Sequence, residues 1–147
     1  MAKIEVSTVI DRPIEEVFAF VTDPEKMSLW MSDLVEAKQT SEGPVGVGTT
    51  ASAVANPLGR RIESTQDVVE YEPNRKFAIK STSGPVASED QFTFESIGSG
   101  TKVTRVTEAE LGGFFRLAEP LVARMLRRQF ETNFANLKDR LEALAEA

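Results

Sequence analysis

At 147 residues the chain is long enough to bury roughly two-thirds of its unfolded surface in one domain, spanning 1–147, without disulfide or metal staples. It has no cysteine and no histidine, which excludes disulfides, Ser-His-Asp and Cys-His catalysis and zinc chemistry, leaving acid–base work to Asp, Glu, Lys, water or the single tyrosine, Tyr71. A net charge of −6 argues against nucleic acid as a partner, because phosphate binding needs clustered cations, and neither a metal nor a cofactor is expected. The opening MAKIEVSTVIDRP carries no apolar run of signal-peptide length, and no stretch of about 18 uncharged apolar residues occurs, so the expected location is the cytoplasm, with no integral membrane association.

Ile4, Val6, Thr8 and Ile10 alternate with Glu5, Ser7 and Val9, the period of a strand with one face on a core. The period then changes to that of a helix with the stripe Ile14, Val17, Phe18 and Val21. Asp11 is placed to cap it, Pro13 opens it, and Glu15 and Glu16 sit in its first turn, where the helix dipole favours anions. Asp23-Pro24-Glu25 repeats the cap-and-proline signal and starts a second short helix containing Met27, Leu29, Trp30 and Met31. Strands are expected at Leu34 to Gln39, Thr49 to Ala55, Arg60 to Tyr71, Arg75 to Ser81, Ala87 to Ser96 and Thr101 to Leu111. The punctuation between them is Gly43-Pro44 with Gly46 and Gly48, Asn56-Pro57-Leu58-Gly59, Glu72-Pro73-Asn74, Ser83-Gly84-Pro85 and Gly98-Ser99-Gly100.

Short turns between successive strands predict an antiparallel sheet, and a long final helix, Phe114 to Ala147, is the element able to cover it. Its C-terminal half carries one stripe, Phe130, Phe134, Leu137, Leu141 and Leu144. In its N-terminal half Phe114, Leu117, Leu121 and Met125 lie on one side and Phe115, Ala118, Val122 and Leu126 on the next, an apolar arc wider than one packing contact requires. A thicker core, a dimer contact and the wall of a hydrophobic cavity all fit that arc, and spacing alone favours the first two. Arg124, Arg127 and Arg128 read as a solvated helix face. The fold class is therefore α+β: a seven-stranded antiparallel curved sheet around a long C-terminal helix, with two short helices after strand 1.

Four local words resemble one known family. IDRPIEEVFAFVTDPEKMSLWMSDL, VGVGT, VVEYEPNRKFAIK and GTKVTRVTEAEL occur in order across the chain and look like the polyketide cyclase/dehydrase-like branch of the START-like, or Bet v 1-like (SRPBCC), superfamily. The resemblance implies a helix-grip fold in which the long helix and the curved sheet enclose a cavity for an apolar small molecule such as a lipid, sterol or polyketide. It also implies that the wide arc of the last helix faces that cavity.

Pairing strands around Gly98-Ser99-Gly100 so that Phe92 and Phe94 share a face with Val103 brings Ser88 and Asp90 onto that face, together with Arg105, Thr107 and Ala109. Asp90 and Arg105 then stand close enough to pair directly or diagonally, about 5–8 Å apart at their β-carbons. As such a pair, Arg105 could hold a carboxylate, enolate or phenolate, and Asp90 could orient it or act as a base. A different register would leave the two in water, where they contribute little. Ala51, Ala53 and Ala55 cannot fill the space beneath a helix, which suggests a void unless Phe114 or Phe115 packs closely there. Trp30 is either a core anchor or an aromatic at the cavity mouth.

Three functions are compatible with these residues. The preferred one is a non-catalytic binder of a hydrophobic small molecule of lipid, polyketide or aromatic type, with Trp30, Ala51, Ala53, Phe92, Phe94, Arg105, Phe114, Leu117, Leu121 and Met125 as ligand-binding residues. The alternatives are a polyketide cyclase or dehydratase working through Asp90, Arg105 and shape, and a protein-interaction module using the arc of the last helix. Monomer and homodimer both remain open.

Overall fold

Strand β1 (Ala2–Ile10) opens the chain in the computed structural model, which describes residues 2–56, 61–83, 87–109 and 119–144. Its alternation puts Ile4, Val6 and Ile10 in the core and leaves Glu5, Ser7 and Val9 on the other face. Helix α1 (Ile14–Thr22) buries Val17, Phe18 and Val21. The cap expected from Asp11 is not made: Pro13 holds the capping position and no side chain bonds the first turn. Pro13 takes up the turn into the helix, and the Asp11 N–H instead donates to Glu142 Oε2 at 3.0 Å.

Asp23 does cap the next element, its Oδ1 accepting from the Glu25 N–H at 3.0 Å. That element is a 3-10 helix, Pro24–Leu29, and it stops one residue short of Trp30. The second short helix therefore does not contain Trp30 or Met31; both come after it, buried, in the turn into β2 (Leu34–Gln39).

The remaining strands are β3 (Thr50–Ala55), β4 (Ile62–Glu72), β5 (Lys76–Ser83), β6 (Ser88–Ile97) and β7 (Gly100–Ala109). They form one antiparallel seven-stranded sheet in the order β1-β7-β6-β5-β4-β3-β2. The β6–β7 hairpin turns on Gly98 and Ser99, with Gly98 at φ +60°, the positive value that the first position of a type II′ turn requires. Between β4 and β5 the Arg75 N–H closes a turn on the Glu72 carbonyl at 3.0 Å, and Asn74, after Pro73, takes the positive φ of +63° at its second central position. Gly100 has no alternative: a β-carbon there would sit 2.8 Å from the Ile10 carbonyl oxygen.

The long helix α2 (Glu119–Leu144) closes the described chain. Phe130, Phe134, Leu137 and Leu141 are buried against the sheet, each burial worth roughly 1.5–3 kcal/mol. Polar contacts fix the helix lengthwise on β1. Arg127 Nη1 donates to the Glu5 carbonyl at 2.8 Å and Lys138 Nζ to that of Val9 at 2.7 Å. The expected seven strands, two early short helices and long terminal helix are thus all present. Residues 57–59 and 84–85 of the expected turns, 110–111 of the expected last strand, and 114–118 and 145–147 of the expected long helix lie outside the described residues. No helix among the described residues is long and apolar enough to cross a membrane.

Candidate functional site

The strand registers decide which side chains face α2. Phe92 stands opposite Arg105, Phe94 opposite Val103, Asp90 opposite Thr107 and Ser88 opposite Ala109, the parity expected from the hairpin. Continuing across the sheet, Val6 pairs with Arg105 and Phe77 with Phe92, so one inward row runs Val6, Arg105, Phe92, Phe77. The neighbouring row is Ile4, Thr107, Asp90, Ile79, Val68. Further along the same face come Ser81 and Gln66, then Ser64, Ala51 and Ala53.

These rows differ in chemistry and in cover. Phe77, Phe92, Phe94 and Val103 are buried, with Phe94 edge-on to Phe18 of α1 at 5.0 Å between ring centres and Phe77 tilted against Phe92 at 6.1 Å. Trp30 is 1% exposed, edge-on to Phe92 with ring centres 6.3 Å apart, and its ring lies 6.1 Å from that of Phe134. Beyond them, Asp90, Ile79, Ser88, Gln66, Ser64 and Ala53 point inward yet are only half-buried, so solvent reaches the inner face there. Ala51 is buried, and Gln66 Nε2 donates to Ser64 Oγ at 3.0 Å.

Arg105 and Asp90 stand at the boundary. Arg105 Nε donates to Asp90 Oδ1 at 2.9 Å, forming an ion pair between diagonal neighbours, and Thr107 Oγ1 donates to the same oxygen. The guanidinium carbon lies over two rings, 5.4 Å from the Phe92 centre and 3.9 Å from that of Phe130. Arg105 is 6% exposed, and among the described residues its Nη1 has no hydrogen-bond partner. The Trp30 indole nitrogen is likewise buried and without one. Two side chains that touch Phe92 thus each carry an enclosed donor with no partner among the described residues.

Of the expected ligand-binding residues, Trp30, Phe92, Phe94 and Arg105 come together with Asp90, and Ala51 and Ala53 lie further along the same face. Leu121 and Met125 do not join them: they are 59% and 43% exposed. The inward side of α2 is set by Val122, Leu126 and Phe130, the other half of the apolar arc, because that line continues into Phe134, Leu137 and Leu141. Phe114 and Leu117 lie outside the described residues. Thr107, expected on the same face, bonds Asp90 directly, whereas the contact of Phe130 with Arg105 was not expected.

Sequence reading also missed Asn133. Fully buried, it accepts from the Ser32 N–H (3.1 Å), Ser32 Oγ (3.3 Å) and Gln129 Nε2 (3.0 Å), and donates to Asp33 Oδ1 at 3.0 Å. Asn136 Nδ2 adds a bond to the Trp30 carbonyl at 3.3 Å. This polar seam holds α2 to the turn that carries Trp30. Its signal was an amide inside the stripe Phe130, Phe134, Leu137.

The fold is shared with TTHA0849 from Thermus thermophilus, at 20% identity and TM-score 0.85 over 97% of this chain and 98% of that one. A START superfamily protein from Mycobacterium smegmatis matches at 15% identity and TM-score 0.82 over 98% and 99% of the two chains. The di-domain ARO/CYC BexL from the BE-7585A biosynthetic pathway matches at 16% identity and TM-score 0.78, over 100% of this chain and 48% of that one. At these identities the likeness is one of fold. No curated protein sequence matches the chain. The four sequence words, the sheet order and the long covering helix agree with a family model that matches residues 1–142: the chain belongs to the polyketide cyclase / dehydrase and lipid transport family.

Proposed function

We propose that the chain, acting as one domain, binds an apolar small molecule between the inner face of the sheet and α2, without transforming it. The observation that carries this reading is the incomplete cover of the inner face: Ala53, Ser64, Gln66, Ile79, Ser88 and Asp90 point inward and remain half-buried, beside the aromatic wall of Trp30, Phe92 and Phe94. A sheet face that its helix does not fill is the concave, mixed surface on which small-molecule sites are built. The family's description, which includes lipid transport, supports the same class of ligand. Arg105 and Asp90 anchor its polar end, and the rings and alanines receive the rest.

Native mass spectrometry of the freshly purified protein, followed by uptake of the neutral probe N-phenyl-1-naphthylamine, tests the proposal. The expected result is a bound apolar compound or stoichiometric probe uptake, weakened about tenfold or more in Ala53→Phe, which places a ring on the half-covered face. An empty protein that ignores the probe, or an Ala53→Phe variant that binds as well as wild type, would overturn it.

A further inference from the structure

The outward side of α2 is divided along its length. Its first half carries Leu121, Arg124, Met125 and Arg128, a single strip at steps of three and four residues, all exposed. On the same side the second half carries Thr132, Ala135, Asp139 and Ala143, also exposed. Large apolar and basic side chains thus stand at one end of the strip, and small and acidic ones at the other. Arg124 and Arg128 are like charges four residues apart, an arrangement that disfavours the helix on its own. Neither they nor Asp139 make an ion pair among the described residues.

Such a strip is complementary to a copy of itself turned end for end. With a two-fold axis passing between Thr132 and Ala135, small side chains meet at the crossing and let the helices approach closely. Arg128 then stands opposite Asp139 of the second copy, and Leu121 and Met125 come against the end of its helix, at Ala143. The symmetry makes each contact twice, and each joins a basic end to an acidic one. An anionic lipid surface would attract Arg124 and Arg128 but would meet exposed Glu131 and Asp139 on the same helix, in a chain of net charge −6. We infer that two copies of the chain associate through the outward face of α2, antiparallel, as a reversible homodimer whose orientation is set by Arg128 and Asp139.

Sedimentation equilibrium of the full chain from about 1 µM to about 1 mM tests the inference. A face with two large apolar side chains buries less than the roughly 1,600 Å² of a standard interface, so the expected dissociation constant is on the order of 0.1 mM. Arg128→Glu and Asp139→Arg, both at exposed positions, should each weaken the dimer about tenfold or more, because like charges then face each other twice. An equimolar mixture of the two variants should associate as wild type does, since opposite charges meet again in both contacts. A wild-type chain that stays monomeric throughout the range would overturn the inference, and its pelleting with vesicles of phosphatidylcholine and phosphatidylserine would assign the face to anionic lipid instead. A dimer that neither variant weakens would place the interface elsewhere on the molecule, and losses that mixing does not restore would refute the end-for-end pairing; either result also overturns the inference.

Discussion

Asn133 is the residue on which the most depends for its size. Its amide sits in the apolar stripe of α2 and gathers the backbone and hydroxyl of Ser32, the amide of Gln129 and the carboxylate of Asp33. Removing it takes away four hydrogen bonds made from a fully buried position, around which Ser32 is exposed and Asp33 and Gln129 are half-buried. Asn133→Ala is therefore expected to destabilise the protein by about 2–3 kcal/mol, measured by urea unfolding; a change within about 0.5 kcal/mol would show that the seam is solvated. Single residues were also where the sequence was least legible. The Asp90–Arg105 pair was readable because the short turn at Gly98 and Ser99 sets the register, and Phe92, Phe94 and Val103 choose the face. The contact of Arg105 with Phe130 was not, since Phe130 is 25 residues on in the chain and nothing local says which strand a helix residue will meet.

Helix α2 separates an inner line from an outer one. Leu137 is fully buried, whereas Leu121 and Met125 are largely in solvent. Leu137→Ala is expected to cost about 2–5 kcal/mol, and Leu121→Asp to change stability by less than about 0.5 kcal/mol, both by denaturant midpoint. Sedimentation of the second variant gives a separate answer: a wild-type dimer that dissociates in Leu121→Asp would assign the outer line to a partner. At this scale the sequence was legible wherever one period dominated. Each strand's alternation marked an element within a residue or two of its observed ends, and the stripe from Phe130 onward marked the buried face of the helix. Legibility failed where two apolar lines ran side by side, at Leu121 and Val122, because only the direction of the sheet distinguishes them. It failed also at Asp11, where a capping residue type stood beside a proline that took the position.

The last turn of α2 meets the end of β1 at Glu142. Its carboxylate accepts from Lys138 Nζ at 2.8 Å and from the Asp11 N–H at 3.0 Å, and these bonds, Lys138 first, hold its pKa below the ordinary carboxylate range. A depressed folded pKa means that the contribution is present above the unfolded pKa and is lost as pH falls through the folded one. Wild type should therefore be more stable than Glu142→Gln near neutral pH, with the difference closing once the medium is more acidic than the usual carboxylate range. Thermal midpoints of the two proteins followed through that range give the comparison; a gap that does not vary with pH would assign the effect to packing instead of charge.

Among the described residues the sheet is open at both margins, since β1 has a strand neighbour only in β7 and β2 only in β3. An unpaired row of carbonyls is a template on which another chain can add a strand. Along β1 the carbonyls of Glu5 and Val9 are taken by Arg127 and Lys138 of α2. Along β2 the register shifts between Leu34 and Glu36, and exposed Glu36 and Lys38 come next. The helix that covers the hydrophobic face thus also blunts one margin, and the bulge and charges blunt the other, so that resistance to edge-to-edge aggregation is built into the same contacts that seat the helix.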